Sequence, residues 1–159
     1  MFNVNEETLV NAEAKAALTA LARESKALFI CAKLEDELKG LNPSDAAELL
    51  DSYDIPEAGL VQMIHAAYYI LGLQSYLTAG PKEVRAWTIK KGATAPQAAG
   101  VIHGDFERGF IAAQIVDYHD LVAAGSETAA KAAGKVRTEG KDYIMQPDDV
   151  VEFRFNVSK

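Results

Sequence analysis

The chain has 159 residues, of which 49% are hydrophobic and 25% charged, a composition that fits one ordinary globular domain or two small ones and excludes a disordered chain. Its longest apolar-looking run, Ala66 to Leu73, is far short of the ~20 residues needed to cross a bilayer, and the N-terminus has no basic or apolar leader pattern. A single cysteine, Cys31, excludes an internal disulfide framework and fits a reducing compartment, so a cytoplasmic, non-membrane location is expected. The net charge of −7 is uneven: residues 1–72 carry 5 basic and 12 acidic side chains, whereas residues 73–159 carry 11 of each.

In chain order, Asn5 can cap a helix with Glu6 and Glu7 in its first turn, continuing through an Ala-rich stretch to about Glu24. Leu28-Phe29-Ile30-Cys31 reads as a buried strand entering a turn at Ala32-Lys33. Asn42-Pro43 starts a helix that runs to about Ser52. Another begins near Pro56, its Leu60, Met63, Ile64, Ala67 and Leu71 at helical spacing, and Gly72 closes it. The texture then changes, which places a domain boundary near Gly72. Gln74 to Ala79 and Glu83 to Lys90 read as strands joined at Gly80-Pro81, followed by a helix over Ala95 to Ile102. Phe110 to Tyr118 is β-rich, and His119 to Ala124 and Glu127 to Ala133 are short helices ended by glycines. Tyr143 to Met145 and Val150 to Phe155 are expected to form a final hairpin.

Searches for catalytic and metal patterns return none. There is no G-x-x-x-x-G-K-[ST] loop, and His65, His103 and His119 are too far apart to suggest metal ligation. Cys31 reads as a small buried filler, His65 as a helix-face residue, and Trp87 as half-buried sheet. Tyr68, Tyr69 and Tyr76 read as cement between helix and sheet. Lys82, Arg85, Lys90 and Lys91 lie within ten residues opposed only by Glu83. This is either a stripe able to approach phosphate or a plain solvated strand face.

Two further segments, Asn3-Val4-Asn5-Glu6 and Cys31-Ala32-Lys33, carry side chains suited to reading a purine edge, although N-x-x-E alone is a weak signal and here doubles as a helix cap. Downstream, Thr78 to Ile89 (TAGPKEVRAWTI), Ala95 to His103 (APQAAGVIH), Asp105 to Ile111 (DFERGFI), Gly134 to Arg137, Gly140 to Tyr143 and Phe153 to Val157 follow in an order that resembles the C-terminal part of the YchF family, the Obg-like ATPases. The resemblance implies an α+β fold: a β-grasp (ubiquitin-like) TGS domain at 73–159, preceded at 1–72 by a mostly helical remnant of a P-loop α/β nucleotide-binding domain. It implies that Asn3, Val4 and Glu6 frame the base, with Ala32 and Lys33 closing it. In the intact family ATP, or GTP, is hydrolysed with Mg²⁺; without a phosphate loop this chain is expected to be inactive alone and to bind neither tightly.

The resemblance also implies association with ribosomes or ribosomal RNA, with Lys82, Arg85, Lys90, Lys91, His103 and Arg108 as the candidate contacts. Two alternatives stay open: an intramolecular lid regulating the ATPase, or a stand-alone β-grasp module that binds a protein. Cys31 departs from the usual serine, Gly104 from threonine and Asp148 from glycine. The chain reads as a C-terminal fragment. The strand leading into Asn3 is expected to be missing, and residues 1–72 are expected to be looser than the rest or to self-associate.

Overall fold

The computed structural model describes residues 1–23, 25–80 and 83–156. Contacts divide the chain into two compact units, Met1–Ile70 and Leu71–Lys159. No helix among the described residues is long and apolar enough to cross a membrane.

The first unit consists of strand β1 (Phe2–Asn3), helices α1 (Glu6–Val10) and α2 (Ala12–Leu21), strand β2 (Phe29–Ile30), and helices α3 (Ala32–Leu38), α4 (Pro43–Ser52) and α5 (Gly59–Leu71). Asparagines punctuate it. Asn5 accepts the Thr8 amide and Asn42 accepts those of Ser44 and Asp45, each satisfying orphan donors of a first helical turn. Asn11 does the same for Ala14, and this splits the single helix expected from Asn5 into two, since a capping residue must be extended where an interior one is helical. The expected end at Glu24 lies outside the described residues. A strand does lead into Asn3, contrary to the sequence reading: β1 pairs in parallel with β2, Phe2 opposite Phe29 and Asn3 opposite Ile30. The turn expected at Ala32-Lys33 is instead the first turn of α3.

Leu9, Cys31 and Leu34 form a small buried core, with Val4, Phe29 and Leu49 packed against it. Helix α5 begins later than Pro56, and the apolar residues read at helical spacing, Leu60, Met63, Ile64, Ala67 and Leu71, are all exposed.

The second unit runs β3 (Leu73–Ala79), β4 (Val84–Lys90), α6 (Ala95–Ile102), α7 (Gly104–Arg108), β5 (Phe110–Asp117), α8 (Tyr118–Ala124), α9 (Glu127–Ala132), β6 (Arg137–Glu139) and β7 (Asp149–Phe155). The strands form one mixed sheet in the order β4-β3-β7-β5-β6. β3 is parallel to β7, and every other pairing is antiparallel.

The expected terminal hairpin is absent. Met145 is buried in the core, Ile144 makes only an isolated bridge to Thr94, and β7 inserts between β3 and β5. Successive side chains of a strand point to opposite faces, so Ile115 and Val116, and likewise Val151 and Val150, enter different cores. On one face α6 contributes Ala95, Ala98 and Ala99, whose small side chains let the helix lie close to the sheet. Tyr76, fully buried, fastens it by donating its hydroxyl hydrogen to the Ala98 carbonyl (3.0 Å). On the other face Leu121 and Ala130 cover Val116 and Val150.

Gly109 ends α7 and accepts the Asn156 amide through its carbonyl (2.8 Å). The two backbones approach so closely that a Cβ on Gly109 would overlap the Asn156 carbonyl, and neither group can rotate away. Gly109→Ala is expected to cost about 2–3 kcal/mol through backbone displacement. The control Gly104→Ala meets only the Arg108 side chain, at 3.5 Å, and should change little. Thermal unfolding of the two variants checks this, and equal melting temperatures would contradict it.

Candidate functional site

The carboxyl ends of β1 and β2 bring the two upstream segments together, the place where ligands bind in parallel α/β arrangements. Asn3 Oδ1 accepts the Ala32 amide (3.1 Å), 29 residues away in sequence. The Val4 amide donates to the Ile30 carbonyl (2.8 Å), which extends the pairing of β1 with β2. Lys33 Nζ donates to Glu6 Oε1 (2.7 Å) and so clasps one loop to the other.

The five residues do not share one role. Asn3, Ala32 and Lys33 are exposed, whereas Val4 is half-buried against the core. Cys31 is buried at the N-cap position of α3 and makes no side-chain cap bond, so the hydroxyl that a serine would offer there has no equivalent.

Hydrogen bonding to Lys33 holds the Glu6 carboxyl below the usual carboxylate range, and Glu6 in turn holds the Lys33 ammonium above its ordinary value. The clasp is therefore present above the ordinary carboxyl range and is lost as pH falls through the lowered Glu6 value. The pair is solvent-exposed, so Glu6→Gln should leave global stability within experimental error. It should instead loosen the loops, read as faster amide exchange at Val4 and Ala32. Unchanged exchange at both would show that the strand pairing holds the loops without the clasp.

With its carbonyl oxygen engaged, Asn3 keeps its amide Nδ2 as a donor at the open end of the strands. The remaining acceptor of interest, Glu6, is shared with Lys33. Among the described residues no group of three or more His, Cys, Asp or Glu side chains is placed to hold a metal ion.

The basic candidates of the second unit are dispersed. Lys82 lies outside the described residues. Arg85 and Lys90 point to opposite faces of β4 by strand alternation, so they form no single stripe. The Arg85 guanidinium lies 4.1 Å from the centre of the Trp87 ring, and the half-buried indole donates to Thr78 Oγ1 (2.9 Å). Lys90 Nζ donates to the Leu71 carbonyl (3.1 Å). Lys91 follows, and its amide donates to the Gly72 carbonyl. His103 caps α7 by accepting the Asp105 amide on Nδ1 (3.1 Å), and Arg108 is ion-paired with Asp105. Sequence reading missed one working pair, Glu35 with Gly59. Their hydrogen bond spans 24 residues and leaves no local pattern.

The second unit is a mixed five-stranded sheet with helices on both faces, and the family model YchF-GTPase_C, described as a protein of unknown function (DUF933), matches residues 73–156. The chain belongs to this YchF family. Among curated proteins it is 51% identical over 138 residues to the Ribosome-binding ATPase YchF of Bacillus subtilis, covering 87% of this chain and 38% of that protein. It is 48% identical over 157 residues to the protein of the same name from Haemophilus influenzae, covering 98% and 43%. The chain thus spans about two fifths of the length of these relatives. A solved structure of the Schizosaccharomyces pombe YchF GTPase superposes with a TM-score of 0.78 at 33% identity, over 96% of this chain and 42% of that one.

Proposed function

We propose that residues 1–72 carry the base-reading loops, and residues 73–159 the docking module, of a ribosome-binding ATPase. The observation that carries this reading is the convergence of Asn3, Glu6, Ala32 and Lys33 at the ends of two parallel strands, tied by the Asn3–Ala32 hydrogen bond and the Glu6–Lys33 pair. The names of the relatives, each a ribosome-binding ATPase, supply the activity and the partner. The sheet order β4-β3-β7-β5-β6, with its parallel central pair, supports a β-grasp, ubiquitin-like TGS reading of the second unit.

In this reading Asn3 donates to the purine edge, and Glu6 selects the exocyclic group once Lys33 yields it. ATP, or GTP, would supply the hydrolysable phosphates, and Mg²⁺ would be held by residues outside this sequence, which has no phosphate loop. Ribosome contact falls to the basic residues of the second unit, as salt-sensitive, sequence-independent attraction to phosphate. Arg85, whose guanidinium is held over an aromatic face, is the described candidate best placed to contribute.

Titration of the labelled chain with adenosine and with guanosine tests the first half. Weak, saturable amide shifts confined to Asn3, Val4, Ala32 and Lys33 are expected, and shifts elsewhere would remove the base-site reading. Ribosome co-sedimentation at rising salt tests the second half. Binding that ignores both salt and reversal of Arg85 would remove the phosphate-contact reading.

A further inference from the structure

The sheet of the second unit has a notch. β3 and β7 lie side by side but pair at a single position, Leu77 opposite Val150. Beyond it, Ala79 and Gly80 on one side and Val151 and Glu152 on the other border two cavities. One, of about 390 Å³, is floored by Ile102 and Phe106; the other, of about 270 Å³, by Val116 and Leu121. Carried on from Leu77 and Val150, the parallel register sets Ala79 level with Glu152, so β7 continues past the last residue of β3.

The unmatched stretch also carries backbone beyond the end of β3. The Tyr118 amide donates to the Asp148 carbonyl and the Asn156 amide to the Gly109 carbonyl, so the even-numbered residues of β7 aim their backbone groups at β5. Phe153 and Phe155 therefore aim theirs at the opposite edge, where no described residue pairs with them. Strand backbone that runs on past the end of its described neighbour, beside apolar pockets, is the setting for strand addition by an extended peptide.

Charge selects the occupant. The described lining of the two cavities holds Glu83, Glu127 and Glu152 and no Lys, Arg or His. All three carboxylates are exposed, and none belongs to an ion pair of the described residues. These three carboxylates disfavour phosphate and attract ammonium and guanidinium groups.

We infer that the notch between β3 and β7 docks an extended, basic segment of a partner polypeptide, which joins the edge of β7 as a short strand. Apolar side chains of alternate residues enter the cavity floored by Ile102 and Phe106, with Glu83 at its rim, and the basic residues between them fall on the opposite face, where Glu152 lies. The residues that line the notch are other than those of the base-reading loops and the basic candidates for phosphate contact.

The test uses the full chain, isotopically labelled, and an acetylated hexapeptide alternating valine and lysine. The matched valine–glutamate peptide and an oligouridylate serve as comparisons. Saturable binding of the lysine peptide alone is expected, with amide shifts at 78–80, 83 and 151–155. Glu83→Lys and Glu152→Lys should each weaken it about tenfold while the melting temperature stays unchanged. N-methylation of alternate peptide amides should abolish it. The proposal is overturned if the lysine peptide does not bind or shifts other residues, or if the glutamate peptide or oligouridylate binds the same amides. It is equally overturned if charge reversal or N-methylation leaves the affinity intact.

Discussion

Asp149→Ala is expected to destabilise the second unit by about 2–4 kcal/mol, because the carboxylate is the hub of a buried polar knot at the start of β7. Asp149 is 3% exposed. Its two oxygens accept the Tyr143 hydroxyl (3.1 and 3.0 Å), one of them also accepts the Gln146 amide (2.8 Å), and Arg137 approaches to 3.8 Å. Removing the carboxylate takes the shared acceptor away from the Tyr143 hydroxyl and the Gln146 amide. Tyr143→Phe removes one donor and leaves the carboxylate its other partners, so about 1 kcal/mol is expected. The single tryptophan, Trp87, reports unfolding in urea. If the two variants cost the same, the hub is Tyr143 and the ranking is wrong.

The same knot has a pH signature whose two limbs share a sign. Burial, above all, raises the Asp149 carboxyl above its ordinary 3.8, and Asp117, its cross-strand partner in the register, adds to the rise. A raised carboxyl gives stability that is complete below the ordinary value and is lost as pH rises through the folded one. Asp149→Asn, which keeps an acceptor without the charge, should therefore lose ground to the native chain most in acid and less as pH rises. Tyr143 is pushed up to about 12, first by burial and then by Asp149. Its contribution is present below the ordinary 10 and is lost as pH rises through about 12, so Tyr143→Phe should flatten the alkaline limb. Melting temperatures across both ranges check the signs.

Local chemistry made much of this fold legible. Thr94, Pro96 and Gln97 mark the start of α6 with a capping box, and the helix runs over the span read from sequence, Ala95–Ile102. Asn42-Pro43 places α4 in the same way. What escaped depends on distant partners. β6 is Arg-Thr-Glu, three polar residues that are a strand only because β5 lies alongside. α7 is launched by His103, a residue weighed for RNA contact, because its ring nitrogen sits where a capping acceptor is needed. At the ends of β1 and β2 the residue types pointed to Asn3, Glu6 and Lys33. That Lys33 occupies Glu6 is a fact of folding, since 27 residues separate them. The basic cluster in β4 is another case of long-range geometry: closeness in sequence along a strand alternates faces, so Arg85 and Lys90 diverge.

Glu35→Ala is the second large effect, expected to cost the first unit about 2–3 kcal/mol, concentrated in α5. Helix α5 has a largely exposed apolar stripe, so packing anchors it poorly. Its first amides are instead held by a carboxylate from α3: Glu35 Oε1 accepts Gly59 (2.6 Å) and Oε2 accepts Leu60 (3.2 Å), joining charge-assisted bonds to the positive end of the helix dipole. The approach requires Gly59 to lack a side chain, since a Cβ there would lie 2.6 Å from Ile30 Cγ2 and 3.0 Å from Glu35 Oε1. Loss of about 2–3 kcal/mol corresponds to roughly 30- to 150-fold faster amide exchange over α5. Glu35→Gln keeps an uncharged acceptor and should lie between native and alanine. The melting of the second unit, followed through Trp87, should not move. Exchange over 59–71 that is unaltered in Glu35→Ala would mean that contacts other than this carboxylate hold the helix.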